Sequence, residues 1–192
     1  MITVVDVETS WQVTDTGGYD PSPYHPDNIL VSVGINDEYY FTNHSERIDD
    51  GCYHNIQSIL DKTTLLVGHN IKFDLMWLIE AGFKYTGKVY DTMLGEYILN
   101  RGIRKSLTLE MSCRRRRIGS KDSRIKEFTD RGIPFQNIPV GLVEEYGRMD
   151  VQITRDLFNS QMADFRMPKN KHLLMTAKMM NEFLIVLADM EA

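Results

Sequence analysis

"VVDVETS", residues 4–10, sets two acids inside an apolar, β-branched run. Val4, Val5 and Val7 read as a buried strand. Side chains along a strand alternate between faces, so Asp6 and Glu8 project side by side. Neighbouring carboxylates repel each other and lose hydration when buried, and something must offset that cost. A bound cation is one candidate. The other is a strand that stops at Val7 and leaves Glu8 in water. Asp-x-Glu arises easily by chance among 27 acidic residues, so the pair does not decide between them.

Outward from this strand, residues 11–27 carry Gly17, Gly18, Pro21, Pro23 and Pro26 and read as a loop or insertion. Residues 28–35 and 38–42 read as two strands joined by a turn at Asn36-Asp37. Helical spacing follows over 51–62, a short apolar strand over 64–69, and an amphipathic helix over 71–83 with Gly82 near its end. Residues 88–100 read as a brief strand and then a helix capped by Asp91. A helix is expected over 106–117, capped by Ser106, then mostly loop over 119–139, and long helices over 140–165 and 171–192. The order predicts an α/β fold: a mixed central sheet, with an antiparallel hairpin and parallel strands, flanked by helices.

Three further residues join the opening pair. "GHNIKFDLMW" (68–77) lies at the junction of a strand and a helix, with Asp74 in the first turns of the helix. In "YGRMD" (146–150), Tyr146 and Asp150 are four apart and share one helix face with Val143, Met149 and Ile153, which turns that face inward. Asp6, Glu8, Asp74 and Asp150 can therefore converge at one end of the sheet. Hard oxygen ligands of this kind suit Mg²⁺ or Mn²⁺. Cys52 and Cys113 have no zinc-type spacing.

"DVET", "HNIKFD", "YDTM" and "YGRMD", in this order and at these intervals, resemble the 3′–5′ exonuclease domain of family A DNA polymerases. That domain belongs to the tyrosine type of the four-carboxylate (DEDDy) superfamily. The resemblance runs from Asp6 to about Glu191. It implies a ribonuclease H-like fold, a catalytic set of Asp6, Glu8, Asp74, Tyr146 and Asp150, and hydrolysis with two Mg²⁺ or Mn²⁺ ions. Asp6 would bridge both ions, Glu8 and Asp150 would complete the tighter site, Asp74 would hold the second, and Tyr146 would orient the attacking water. The DNA 3′ end would meet Thr9, Asn70 and Phe73. The resemblance further implies an exonuclease domain over 1–166 and a helix over 167–192 that leads toward a polymerase domain outside this chain. The start on the first strand is similar to bacteriophage polymerases, which would place the protein in the host cytoplasm. Proofreading of DNA is the expected function. The alternatives are RNA trimming, as in the related ribonuclease D group, and a catalytically inactive binding module; the intact carboxylate set argues against the latter.

Bulk properties fit. The 192 residues are 42% hydrophobic and 26% charged, with a formal net charge of −5. No apolar run reaches the roughly 18–20 residues that span a membrane, and no basic-then-apolar leader is visible. A cytoplasmic protein with no membrane partner is therefore expected. With an acidic chain, nucleic-acid contact must rest on metal ions or a local basic patch. "CRRRRIGSKDSRIK" (113–126) is that patch, and Arg114, Arg115, Arg116 and Arg117 are candidates for DNA phosphates. A solvated helix end accounts for the same residues. His69 reads as structural, Asp91 as a cap, and Leu173, Met180, Leu184 and Leu187 as a packing stripe.

Overall fold

The computed structural model describes residues 1–119 and 124–191. Its main sheet contains β1 (Ile2–Thr9), β4 (Leu30–Ile35), β5 (Glu38–Phe41), β6 (Leu65–Gly68) and β7 (Lys88–Asp91), in the order β5-β4-β1-β6-β7. β4 runs antiparallel to both β1 and β5, while β1, β6 and β7 are parallel. The predicted mixed sheet is therefore observed, with β1 at its centre. Thr9 follows a register shift between Glu8 and Thr9, where β1 leaves regular pairing with β4.

Residues 11–27 hold more order than their glycines and prolines suggest: β2 (Gln12–Val13) and β3 (Tyr19–Asp20) form a small antiparallel hairpin. Its closure is local. Gly17 takes φ +79°, and the Gly18 amide donates to Thr14 Oγ1. Two-residue strands carry too little hydrophobic alternation to stand out in a sequence.

The helices are α1 (Cys52–Asp61), α2 (Ile71–Glu80), α3 (Thr92–Leu99), α4 (Leu109–Arg116), α5 (Arg124–Thr129), α6 (Val140–Arg166) and α7 (Leu173–Glu191), with a 3₁₀ turn at Phe135–Asn137. The stretch expected to be mostly loop thus holds α5 and the 3₁₀ turn. α4 is capped by Thr108, not Ser106: the Thr108 hydroxyl accepts from the Met111 amide. α3 is capped by Asp91 as expected.

The alternation along β1 divides the core. Val5 and Val7 join Val33, Ile35, Ile56, Leu60 and Leu75 on the face covered by α1 and α2. Val4 joins Val67, Val151, Phe158 and Ala177 on the face covered by α6 and α7. Asp6 and Glu8 share the parity of Val4, so they face α6. Gly34, opposite Asp6 in β4, leaves room for that helix: a Cβ there would lie 2.8 Å from Val151 Cγ2. On α7 the buried face is Ala177, Asn181 and Ala188, with Leu173 and Leu184 partly buried; Met180, expected in the packing stripe, is exposed. Cys52 and Cys113 are free thiols. Among the described residues, no helix is long and apolar enough to cross a membrane.

Candidate active site

The carboxylates converge because β1 and α6 cross. Ligand oxygens of Asp6, Glu8 and Asp150 lie within 4.8 Å of one another. Glu8 is 7% exposed and Asp150 3%, while Asp6 is partly exposed. So much negative charge in so little water-accessible space is costly unless a cation shares it. The donor set is all hard oxygen, which suits Mg²⁺ or Mn²⁺.

Asp74 reaches the same strand from α2. β1 pairs with β6 only through Ile2, Thr3 and Val4. Beyond that point the Val7 amide has no β6 partner, and it donates to Asp74 Oδ1 at 3.0 Å. Asp74 is buried, and burial pushes its carboxyl well above the usual carboxylate range; the neighbouring charge of Asp6 adds to the effect.

Tyr146, one turn before Asp150 on α6, is hydrogen-bonded to it. Burial, and then the charges of Glu8, Asp150 and Asp6, hold the Tyr146 phenol far above its ordinary range. It keeps its proton at neutral pH, so it can donate a hydrogen bond but cannot serve as a base. Gly147 follows it for a steric reason: a Cβ there would run into the Tyr39 ring. Tyr39 is a residue that sequence reasoning missed. It is buried beneath α6, bonded to Ser32 Oγ at 2.8 Å and donating to the Val143 carbonyl at 3.3 Å. Only the tertiary fold brings it to the site, so no local pattern marks it.

Other expected contacts differ in their surroundings. Asn70 is exposed at the start of α2 with φ +66°, and its amide donates to Asp91 Oδ1 at 3.0 Å. Phe73 is half-buried against the Val5–Val7 core. Thr9 is buried. His69 is structural: its ring nitrogens bond Thr92 Oγ1 and the Leu107 carbonyl, each at 2.9 Å.

The arginine run is divided. Arg116 pairs with Glu96 and, at 2.7 Å, with Asp164; Arg115 pairs with Glu96 at 3.2 Å and donates to the Ser106 carbonyl. The Glu96 side chain is 3% exposed and that of Arg116 14%, so this is an internal network tying α3, α4 and α6 together. Arg115 and Arg116, expected at DNA phosphates, are here engaged by the carboxylates of Glu96 and Asp164. Arg114 and Arg117 are exposed and keep the surface role open to them. Ser120, Lys121, Asp122 and Ser123 of the basic stretch lie outside the described residues.

A five-stranded mixed sheet flanked by helices, with an acidic cluster on its central strand and on the long helix crossing it, is the architecture of the ribonuclease H-like fold. Residues 14–163 match the profile of a family described as 3′-5′ exonuclease, and the chain belongs to that family. The matched span contains Asp74, Tyr146 and Asp150 and begins after Asp6 and Glu8. Among solved structures, the chain is similar to Brucella melitensis NrnC with bound Mg²⁺, at TM-score 0.70 and 16% identity over 99% of this chain and 84% of that one. It is similar to Trypanosoma brucei RNase D at TM-score 0.63 and 15% identity, over 87% and 59%. It is similar also to a family B DNA polymerase of Pyrobaculum calidifontis at TM-score 0.59 and 15% identity, over 84% and 24%. At such identities the likeness is one of fold. No match was found among the curated proteins.

Proposed function

We propose that this chain is a divalent-metal-dependent phosphodiesterase that removes nucleotides one at a time from a single-stranded 3′ end. The observation that carries the reading is the convergence of Asp6, Glu8 and Asp150 within 4.8 Å, in a chain of the 3′-5′ exonuclease family. Asp6, Glu8 and Asp150 would hold one Mg²⁺ or Mn²⁺, and Asp6 with Asp74 a second. Bound there, the ions would offset the carboxylate charge, acidify an attacking water and stabilise the leaving oxygen.

The chain's own residues do the rest. Asp74 fixes the Val7 amide, and with it the direction in which Asp6 and Glu8 project. Tyr146, protonated and bonded to Asp150, is a fixed donor that can orient the water or a phosphate oxygen. Thr9, Asn70 and Phe73 border this end of the sheet and would receive the terminal nucleotides. Phe73 offers a ring for stacking, which contributes about 1–3 kcal/mol per base.

DNA is the substrate we favour, with the chain acting as a polymerase's proofreading module whose 167–192 segment leads toward the polymerase domain. The order of "DVET", "HNIKFD", "YDTM" and "YGRMD" supports this reading. The likeness to RNase D, and to an NrnC solved with bound pGG, favours a second one, trimming of RNA or short oligonucleotides. Matched DNA and RNA strands of one sequence, labelled at the 5′ end and digested side by side in Mg²⁺, separate the two. Faster shortening of DNA supports proofreading; faster shortening of RNA replaces it.

A further inference from the structure

Three aromatic rings lead away from Tyr146. Tyr146 lies 6.0 Å, centroid to centroid, from Phe135; Phe135 lies 5.9 Å from Trp11; and Trp11 lies 5.6 Å from Tyr19, the last two contacts edge to face. The series ends at a cleft of about 410 Å³ bounded by Trp11, Tyr19 and Pro21 on the hairpin side and by Thr129 and Asp130 at the end of α5. Trp11 comes two residues after Thr9, so the catalytic strand runs directly into the wall of the cleft.

Phe135 and Tyr146 pack against the buried Tyr39, Phe41, Ile125, Ile138 and Val143, whereas the two outer rings do not serve the core. Neither Trp11 nor Tyr19 belongs to a buried cluster, and Tyr19 is 55% exposed. Their support is nonetheless fixed. Trp77 Nε1 donates to the Pro21 carbonyl at 3.1 Å from beneath. Asn28 Nδ2 donates to the carbonyls of Asp20 and Ser22 at 2.9 Å each, and the Ile29 amide donates to Ser10 Oγ at 2.7 Å. A two-stranded hairpin this short is marginal alone, so these anchors hold exposed aromatic surface in a set position. A rigid, unspent aromatic face beside a nuclease centre suits a planar base, since every base has a stacking face. The acid at Asp130 disfavours a phosphate and offers an acceptor for an exocyclic amino group.

We propose that this cleft is a base-stacking subsite that takes an unpaired nucleobase of the substrate strand against Trp11 and Tyr19. The proposal rests on the nuclease reading above, and its test keeps the two apart.

The first arm uses tryptophan emission. The chain has two tryptophans; Trp77 is 3% exposed and also emits, so the signal from the cleft is the part of the change that Trp11→Phe removes. Asp6→Asn protein, titrated in Mg²⁺ with a short single-stranded oligodeoxynucleotide, should show saturable quenching. Adding Trp11→Phe should abolish it, and an abasic strand of equal length should produce none. Quenching that survives Trp11→Phe, or emission that never changes, overturns the subsite. The second arm uses the otherwise intact protein. Trp11→Ala should raise KM about fivefold or more with a smaller effect on kcat, and Trp11→Phe should recover most of the loss. An unchanged KM in Trp11→Ala overturns the subsite and leaves the nuclease reading standing. Absence of any nucleotide release by wild-type protein in Mg²⁺ or Mn²⁺, with Trp11-dependent quenching intact, removes the nuclease reading and leaves a nucleobase site.

Discussion

Asp74 Oδ1 accepts the backbone N–H of Val7 at 3.0 Å, and Val7 is the residue between Asp6 and Glu8. One carboxylate thus fixes the strand that carries two others. Its two duties can be divided. Asp74→Asn keeps an acceptor oxygen for Val7 and removes the charge, so it should fold normally and lose at least about 10²-fold in kcat. Asp74→Ala should lose as much activity and also about 1–3 kcal/mol of stability, because the Val7 amide is left unmade. Urea denaturation beside a nucleotide-release assay separates the effects.

Tyr146 is a donor, and Tyr146→Phe removes only that donor. The carboxylates remain, so the fall in kcat should be about 10- to 10²-fold, smaller than for any carboxylate, with KM little changed. A loss equal to that of Asp6→Ala would mean that the phenol does more than orient.

Gly147 lets α6 approach the Tyr39 ring, since any Cβ there would strike it. Gly147→Ala should therefore cost about 1–3 kcal/mol by overpacking and lower activity by shifting Tyr146 and Asp150. Gly147→Ala combined with Tyr39→Leu should recover part of the stability, which thermal melts would record.

The divided arginine run makes a paired prediction. Neutralising Arg114 and Arg117 should raise KM and flatten the salt dependence of strand binding, because fewer counterions are released, with melting unchanged. Arg116→Ala should instead unfold the protein more easily, by about 1–3 kcal/mol, since Glu96 loses one of its two cationic partners and keeps Arg115.

Asp91 sets a pH dependence. Burial raises its carboxyl above the usual range, although it accepts from the amides of Asn70, Met93 and Leu94. The folded chain then binds more protons than the unfolded one between the two pKa values, so stability falls as pH rises across that window. Asp74 acts in the same direction. Asp91→Asn, which keeps an acceptor, should flatten the decline and melt no lower than wild type at neutral pH in chelator. Melting temperatures at a series of pH values from 4 upward test this.

The parts of the fold that were legible in the sequence are those with long periodicity. β1 shows its valines, and α6 shows Tyr146 and Asp150 one turn apart with Val143 and Ile153 on the inward side, both buried as expected. The hairpin at Gln12–Val13 and Tyr19–Asp20 was not legible, because its stability comes from Trp77, Asn28 and Ser10 outside its strands. Nor was the pairing of the half-buried Arg115 and Arg116: four consecutive arginines look solvated until Glu96 and Asp164 arrive from other helices. Tyr39 and the Trp11 cleft were hidden for the same reason, being made by contacts far apart in the chain.

The central claim is that clustered carboxylates at Asp6, Glu8 and Asp150 drive metal-dependent cleavage from the 3′ end. The direct measurement follows a 5′-labelled single strand on a sequencing gel, in Mg²⁺, in excess chelator, and with Asp6→Asn protein. The account predicts a ladder shortening by single nucleotides from the 3′ end in Mg²⁺, no ladder in chelator, and a fall of at least about 10³-fold with Asp6→Asn. Undiminished shortening in chelator, or cleavage within tenfold of wild type by Asp6→Asn, would contradict it.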